Sequence, residues 1–123
     1  MRPDSTPPAD RRWGLVVVHG RSMQPTLLEG DRLLVRHGAR PRPGRLVVVR
    51  LPGRTGPAGE RPGAPRVLAV KRATRHGPDG WWVERDNPRE GVDSWQVGAV
   101  PDDDVLAVVL LRLWPPRWRR RRL

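Results

Sequence analysis

Residues 15–35 read LVVVHGRSMQPTLLEGDRLLV, and this stretch sets the pattern that the rest of the chain follows. It begins with an apolar run at 15–18 and ends with another at 33–35, and both runs predict strands. Between them, residues 22–28 have the composition of a single helical turn, and residues 28–31 are typical of a tight turn. The stretch therefore predicts two strands joined by a short, partly helical connection.

The same alternation of short apolar runs and turn signals continues along the chain. No stretch shows sustained helical periodicity with capping residues, so helix is predicted only as short turns. The pattern predicts a mostly β fold, compact and barrel-like or sandwich-like. Further strands are predicted at 46–51, 67–70, 81–83 and 105–113, with turns at 42–44, 76–80 and 86–88.

The chain has 123 residues, a length that supports one domain with one modest core. Residues 15–113 are predicted to form this domain, preceded by a flexible N-terminal arm at 1–14 and followed by a basic tail at 114–123. The Pro- and Gly-rich segment 52–66 is predicted to be a loop between two strands, because neither side of it could fold alone. The chain contains no cysteine, which excludes disulfides, thiolate metal sites and thiol catalysis.

The formal net charge is +11, and the basic residues are concentrated at the C-terminus. Residues 112–123 contain six arginines and no acidic residue. Such a run is typical of a solvated tail, but it also suits nucleic acid, an anionic membrane surface or an acidic partner. The sequence therefore predicts a weak contact of the tail with an anionic surface. A basic module that binds nucleic acid or a membrane surface is the alternative to an enzyme.

The apolar runs are too short for a helix that crosses a membrane. The longest lie at 46–49 and 105–111, against the roughly 20 residues that a membrane-spanning helix needs. The first twelve residues, MRPDSTPPADRR, contain no apolar region of the signal-peptide type. The sequence predicts no transmembrane segment and a cytoplasmic protein, with a peripheral membrane contact and the oligomeric state left open.

Ser22 is the first candidate for a catalytic residue. Because cysteine is absent, only hydroxyls, amines and carboxylates can act as nucleophiles. Ser22 follows an apolar strand at the mouth of a turn, where its hydroxyl can face a cleft and the backbone N–H groups of residues 20–22 can hold an oxyanion. A serine in this place is also typical of a turn or a helix cap.

Lys71 is the candidate base, and the composition singles it out. It is the one lysine in the chain, against 23 arginines. An arginine stays protonated at any working pH, whereas a desolvated lysine can lose its proton. Lys71 follows the apolar run 67–70, so burial is expected to lower its pKa. The histidines, by contrast, lie in no recognisable triad context; they are His19, His37 and His76.

Four motifs, in order and spacing, resemble those of the type I signal peptidases over roughly residues 15–113. They are VHGRSMQPTL at 18–27, GDRLLV at 30–35, VKR at 70–72 and a last group formed by DNP at 86–88, DS at 93–94 and GAVP at 98–101. Those enzymes are serine proteases with a Ser–Lys dyad. The resemblance implies a compact, mostly β catalytic fold with Ser22 as the nucleophile and Lys71 as the general base.

The resemblance also implies residues that form the oxyanion hole or shape the site, and it implies no cofactor and no metal. These residues are Gly20, Arg21, Met23, Asp86, Asn87, Asp93 and Ser94.

The chain departs from the family pattern in several places. Larger signal peptidases insert a second domain between the lysine and the later Asp-Asn motif, but no inserted domain is predicted here because Asp86 follows Lys71 closely. The usual glycine before that motif is Arg85, a frequent serine is Gly91, and the usual arginine after Asp-Ser is Trp95.

The small size, the lack of an apolar anchor and the segments PTLLEGDRLLVR and GWWV are most similar to the maturation protease of nickel-type superoxide dismutase. This resemblance implies a peptidase that removes the N-terminal propeptide of a protein precursor and so exposes the nickel-binding histidine hook of the dismutase. The alternative is a general peptidase that processes exported preproteins. Self-cleaving repressors use the same dyad, but no helix-turn-helix domain fits in residues 1–14.

Overall fold

The described residues form six strands, and each strand overlaps one of the apolar runs of the sequence. This computed structural model describes residues 12–52 and 66–115. Within them, helix is limited to one turn, α1 (Ser94–Val97), and a 3-10 turn (Asp102–Asp104). The strands are β1 (Trp13–Val17), β2 (Arg32–His37), β3 (Leu46–Pro52), β4 (Arg66–Gly77), β5 (Gly80–Glu84) and β6 (Val105–Trp114). The prediction of a mostly β fold with short helical turns is confirmed.

Three of the predicted segments fall largely outside the described residues. They are the N-terminal arm at 1–14, the loop at 52–66 and the basic tail at 114–123. These assignments stay predictions. In the described ranges, none of the helices is long and apolar enough to span a bilayer.

The strands form one antiparallel sheet in the order β1-β2-β6-β3-β4-β5. The last strand, β6, lies between β2 and β3 and so joins the N-terminal hairpin to the rest of the sheet. β4 is much longer than the strand predicted at 67–70, because β3 pairs with its first half and β5 pairs with its second half. Pairing on both sides keeps the polar residues after Val70 in the strand and places Lys71 opposite Val47.

Buried side chains cover both faces of the middle strands. Alternate residues of β3 point to opposite faces, so Val48 joins one apolar cluster and Val49 joins the other. The first cluster includes Met23 and Leu27 from the β1–β2 connection. Burying a side chain of this size stabilises the fold by about 1.5–3 kcal/mol. The connection is therefore fixed to the sheet by its apolar residues, which places the segment around Ser22.

The β1–β2 connection contains one α-turn, and no helix, where a single helical turn was predicted. The backbone N–H of Leu27 donates to the carbonyl of Met23 at 2.9 Å, which is one helical hydrogen bond. The connection is closed by paired backbone hydrogen bonds in which Val18 donates to Asp31 and Gly30 donates to Val18, both at 2.8 Å. Gly30 has a φ of +91°, which a residue with a side chain rarely adopts.

Candidate active site

The fold brings Ser22 and Lys71 together, although 49 positions separate them in the chain. Nζ of Lys71 donates a hydrogen bond to Oγ of Ser22 at 2.8 Å. Ser22 comes from the β1–β2 connection, and Lys71 comes from the middle of β4. Lys71 is only 3% exposed, so its amine lies in an environment with little water.

Burial changes the acidity of the Lys71 amine. Desolvation lowers the pKa of Lys71 from 10.5 to about 8, the negative charge of Asp93 opposes this change, and the positive charge of Arg85 adds to it. At mildly alkaline pH a substantial fraction of the amine is therefore neutral. A neutral amine within hydrogen-bonding distance of a serine hydroxyl can take the proton of that hydroxyl.

The pair opens into a largely apolar cleft of about 700 Å³. Apolar side chains line it from both sides of the pair, and His19 and Glu90 lie at its edge. The apolar lining includes Val16, Val17, Val18, Val48, Leu51, Leu68, Ala69 and Val70. An open cleft of this kind can hold an extended peptide segment with small or apolar side chains.

The predicted oxyanion donors at 20–22 are not equally available. The backbone N–H of Gly20 donates to the carboxylate of Glu29 at 3.1 Å. No hydrogen bond from the backbone N–H of Ser22 is found among the described residues. The Ser22 N–H therefore stays a candidate donor for a developing oxyanion, whereas the Gly20 N–H is already bonded.

The segment with Asp86 and Asn87 is hydrogen-bonded to the β1–β2 connection, which contains Ser22. Asn87 donates its backbone N–H to the carbonyl of Ser22 and its side-chain amide to the carbonyl of Arg21, both at 2.8 Å. The backbone N–H of Asp86 contacts the sulfur of Met23, which is 2% exposed. These contacts hold the backbone on both sides of Ser22, and they involve four of the predicted site residues: Arg21, Met23, Asp86 and Asn87.

Asp86 is the centre of an ionic network that the sequence did not predict. Arg72, next to Lys71 in β4, donates to Asp86 through two nitrogens at 3.0 and 2.7 Å, and Thr26 donates through its hydroxyl at 2.6 Å. Burial alone would raise the pKa of Asp86, but the hydrogen bonds from Arg72 and Thr26 and the Arg72 charge hold it below its usual value. The network connects β4 to the β1–β2 connection.

Asp93 and Ser94 are buried, at 3% and 1% exposure, and they hold the backbone rather than contacting the Ser22–Lys71 pair by hydrogen bonds. Asp93 caps α1 by accepting from the N–H of Trp95, and Gln96 completes a capping box. The hydroxyl of Ser94 accepts from the N–H of Val83 at 2.8 Å. The D-x-x-Q spacing at 93–96 was a readable sign of this helix start, although α1 was not predicted.

Gly91 lies beside the Ser22–Lys71 pair, although the sequence did not place it in the site. It has a φ of +95°, and a Cβ on it would lie 2.5 Å from Cβ of Ser22 and 3.5 Å from Nζ of Lys71. Backbone at Gly91 therefore forms one wall of the pair, and only a residue without a side chain fits there without displacement.

The other histidines and acids form no comparable arrangement in the described residues. His76 lies 2.9 Å from Asp102 in a separate concavity of about 750 Å³ that does not include Ser22. In the described parts of the chain, no three His, Asp or Glu side chains are grouped as metal ligands.

Comparison with known proteins adds one finding. Residues 3–56 match the sequence model of the family described as Peptidase S24-like. This similarity supports a serine-type peptidase. The match covers less than half of the chain and includes Ser22 but not Lys71. The searches of curated proteins and of solved structures find no match.

A base at Lys71 predicts peptidase activity that rises as the Lys71 amine loses its proton. Below a pH of about 8, the value to which burial lowers the pKa of Lys71, the amine is charged and cannot accept a proton, so kcat/KM should rise tenfold per pH unit and level off above it. Because Lys71 is the one lysine, protein labelled with ¹³C at the lysine ε-carbon gives a single signal whose titration reports this pKa directly. A midpoint near the usual 10.5 would contradict the prediction.

Proposed function

We propose that this protein is a serine endopeptidase in which Ser22 is the nucleophile and Lys71 is the general base. The observation that carries the proposal is the 2.8 Å hydrogen bond between the buried Lys71 amine and the Ser22 hydroxyl, at the wall of an apolar cleft. The match of residues 3–56 to Peptidase S24-like proteins supports the coarser assignment as a serine-type peptidase. The resemblance to signal peptidases supports the Ser–Lys pair.

The proposed reaction proceeds through an acyl-enzyme. Neutral Lys71 takes the proton from Oγ of Ser22 as Oγ bonds to the carbonyl carbon of the scissile peptide. The backbone N–H of Ser22 stabilises the oxyanion of the tetrahedral intermediate. The protonated amine of Lys71 then gives its proton to the leaving nitrogen, and the peptide C–N bond breaks. A water molecule, deprotonated by Lys71, attacks the ester in the same way, and Ser22 recovers its proton.

The proposed substrate is a protein precursor that loses an N-terminal propeptide, and the precursor of nickel-type superoxide dismutase is the specific candidate. The sequence resemblance carries this choice. The apolar lining of the cleft is compatible with a segment that has small side chains before the cleaved bond. General processing of exported preproteins is the alternative.

The experiment compares cleavage of a dismutase precursor and of an exported preprotein by the same peptidase preparation. Mass spectrometry of the products should show a new dismutase N-terminus that begins with histidine, and little cleavage of the preprotein. Preferential cleavage of the preprotein would support the alternative. Ser5→Ala serves as the matched control for Ser22→Ala: the first should cleave like the wild type and the second should not cleave. Cleavage by Ser22→Ala at the wild-type rate would reject the proposed mechanism.

We also propose a weak association with an anionic membrane surface, because one specific feature favours it. Strands β1, β2 and β6 lie side by side and contain no acidic residue. On one face, Leu15 lies opposite Leu34, and Leu34 lies opposite Leu111, so the three strands form an apolar row. Trp13 and Trp114 flank this row and are about half exposed, at 49% and 51%.

The surroundings of this apolar row fit a negatively charged bilayer. The Arg36 guanidinium lies over the Trp13 ring, 5.3 Å from its centroid, and Arg32 lies opposite Trp114 in the sheet. From the end of β6 the chain continues into residues 116–123, which contain five arginines. Tryptophan favours the membrane–water interface, and arginine is attracted by anionic lipid headgroups.

Vesicle binding tests this association. The protein should co-sediment with vesicles of phosphatidylcholine and phosphatidylglycerol, and much less with vesicles of phosphatidylcholine alone. Trp13→Glu should weaken binding to the anionic vesicles by more than about tenfold, because it removes an aromatic ring that favours the interface and adds a negative charge that the lipid headgroups repel. Trp95→Glu is the matched control, since Trp95 is 69% exposed but lies on α1. Equal loss in both variants, or equal binding to both vesicle types, would contradict the proposal.

A further inference from the structure

Arg85 follows β5 and closes the loop that leads to α1. Its side chain is 19% exposed and donates to the carbonyl of Gly91 at 2.9 Å and to the carbonyl of Pro88 at 3.2 Å. It also donates to the side-chain oxygen of Gln96 at 3.1 Å. One guanidinium group therefore connects the middle of the loop, its end and the first turn of α1. A planar group with several fixed donors is suited to this kind of connection.

The loop that Arg85 closes is the wall of the Ser22–Lys71 pair. The α-carbon of Gly91 lies so close to Ser22 that an added Cβ would come within 2.5 Å of the serine Cβ. At the other end of the loop, Asn87 holds the carbonyl of Ser22. Because Arg85 fixes the carbonyl of Gly91, it sets how closely this wall approaches the hydroxyl and the amine.

Arg85 also lies beside Asp93, a buried acidic residue whose charge acts on Lys71. Its guanidinium is 3.9 Å from the carboxylate of Asp93, and its backbone N–H donates to the same carboxylate at 3.0 Å. Among the described residues, Arg85 provides the cation that pairs with Asp93. Asp93 comes from the segment before α1 and raises the pKa of Lys71, whereas Arg85 lowers it. Arg72, the neighbour of Lys71 in β4, is paired with Asp86.

We propose that Arg85 is a positioning residue of the site: it holds the 86–91 loop against Ser22 and offsets the charge of Asp93 at the Lys71 amine. Signal peptidases usually have a glycine at the position of Arg85 and an arginine at the position of Trp95. In this chain, the guanidinium group beside Asp93 comes from position 85. The effect on cleavage rests on the proposed function, but the effect on the amine does not.

The test compares Arg85→Gln, Arg85→Lys and a matched control. Arg89→Gln is that control, because Arg89 is an exposed arginine of the same loop. Arg85→Gln should raise the titration midpoint of the single lysine signal and lower kcat by more than about tenfold at pH 8, with KM changed by less than about threefold. Arg85→Lys adds a second lysine, so its Lys71 signal is assigned as the one missing from Arg85→Lys/Lys71→Arg. That Lys71 signal should keep the wild-type midpoint, whereas kcat should fall, because an ammonium group cannot reproduce the three-way connection. Arg89→Gln should match the wild type in all three values.

The outcomes separate this proposal from the proposed function. An unchanged lysine midpoint in folded Arg85→Gln would overturn the electrostatic role, and wild-type kcat in Arg85→Lys would overturn the role in the loop. If Arg85→Gln does not fold, kcat of Arg85→Lys still decides the role in the loop, and the midpoint of its Lys71 signal must equal that of the wild type for the electrostatic role to stand. If the wild type shows no peptidase activity, the proposed function fails, while the titration of Lys71 still decides on Arg85.

Discussion

Replacing Lys71 by arginine is expected to stop peptide cleavage as completely as replacing Ser22 by alanine, with kcat lowered by at least about 10⁴-fold in each variant. Arginine keeps the positive charge and much of the side-chain length, but it stays protonated at every working pH. It can therefore still donate to the Ser22 hydroxyl and cannot accept its proton. The measurement is single-turnover cleavage of a precursor substrate, followed by mass spectrometry.

The double variant provides an internal control for this prediction. Because the hydroxyl and the amine act as one unit, Ser22→Ala/Lys71→Arg should lose little more activity than either single variant. Circular dichroism and thermal unfolding of each variant must first show a folded protein, since Lys71 is buried. Appreciable cleavage by Lys71→Arg would mean that the amine acts as a fixed positive charge and not as a base.

Gly91→Ala is expected to lower kcat by more than about 100-fold, because misplacement of reacting groups by about 1 Å has effects of this size. The new Cβ would lie 2.5 Å from Cβ of Ser22, so either the loop or the serine must move. Any movement of Ser22 changes its 2.8 Å hydrogen bond to Lys71. The positive φ of +95° adds about 1–2 kcal/mol of strain to the folded state. The measurements are kcat and the free energy of unfolding.

Gly38→Ala separates the contact from the strain. Gly38 has a φ of +72°, but a Cβ on it would meet nothing within 4 Å. It should show a similar loss of about 1–2 kcal/mol in the free energy of unfolding and keep a kcat close to that of the wild type. If the two variants lose the same activity, backbone strain and not contact with Ser22 explains the effect. Gly91→Ser, which introduces the residue that signal peptidases often have at this position, should behave like Gly91→Ala.

Ser22 and Lys71 could be chosen as candidates from the sequence, because a single lysine among 23 arginines suggests a position where charge alone is not enough. In the structure that lysine is buried and hydrogen-bonded to the serine hydroxyl. The strands were also predictable, because apolar β-branched runs bounded by turn residues have few other low-energy conformations. The full length of β4 was not predictable, since its polar second half is held in the sheet by pairing with β5.

Other features of the site depend on contacts between residues that are distant in the chain. Gly20 was expected to offer its N–H to an oxyanion, yet this N–H is bonded to Glu29. Arg72 and Asp86 had no recognisable reason to pair until β4 and the loop after β5 were brought together. No local pattern could reveal such a pairing, because it depends on how the sheet is assembled.

The sequence by itself determined most of the strands, the candidate nucleophile and base and the absence of cysteine chemistry, since these follow from local composition and from the chemical limits of each side chain. Only the tertiary structure decided how far the amine is desolvated, which N–H remains for an oxyanion and why Arg85 and Gly91 occupy their positions. The physical reason is that pKa, hydrogen-bond availability and steric fit depend on neighbours in space. In this chain those neighbours come from β4, the loop after β5 and the β1–β2 connection.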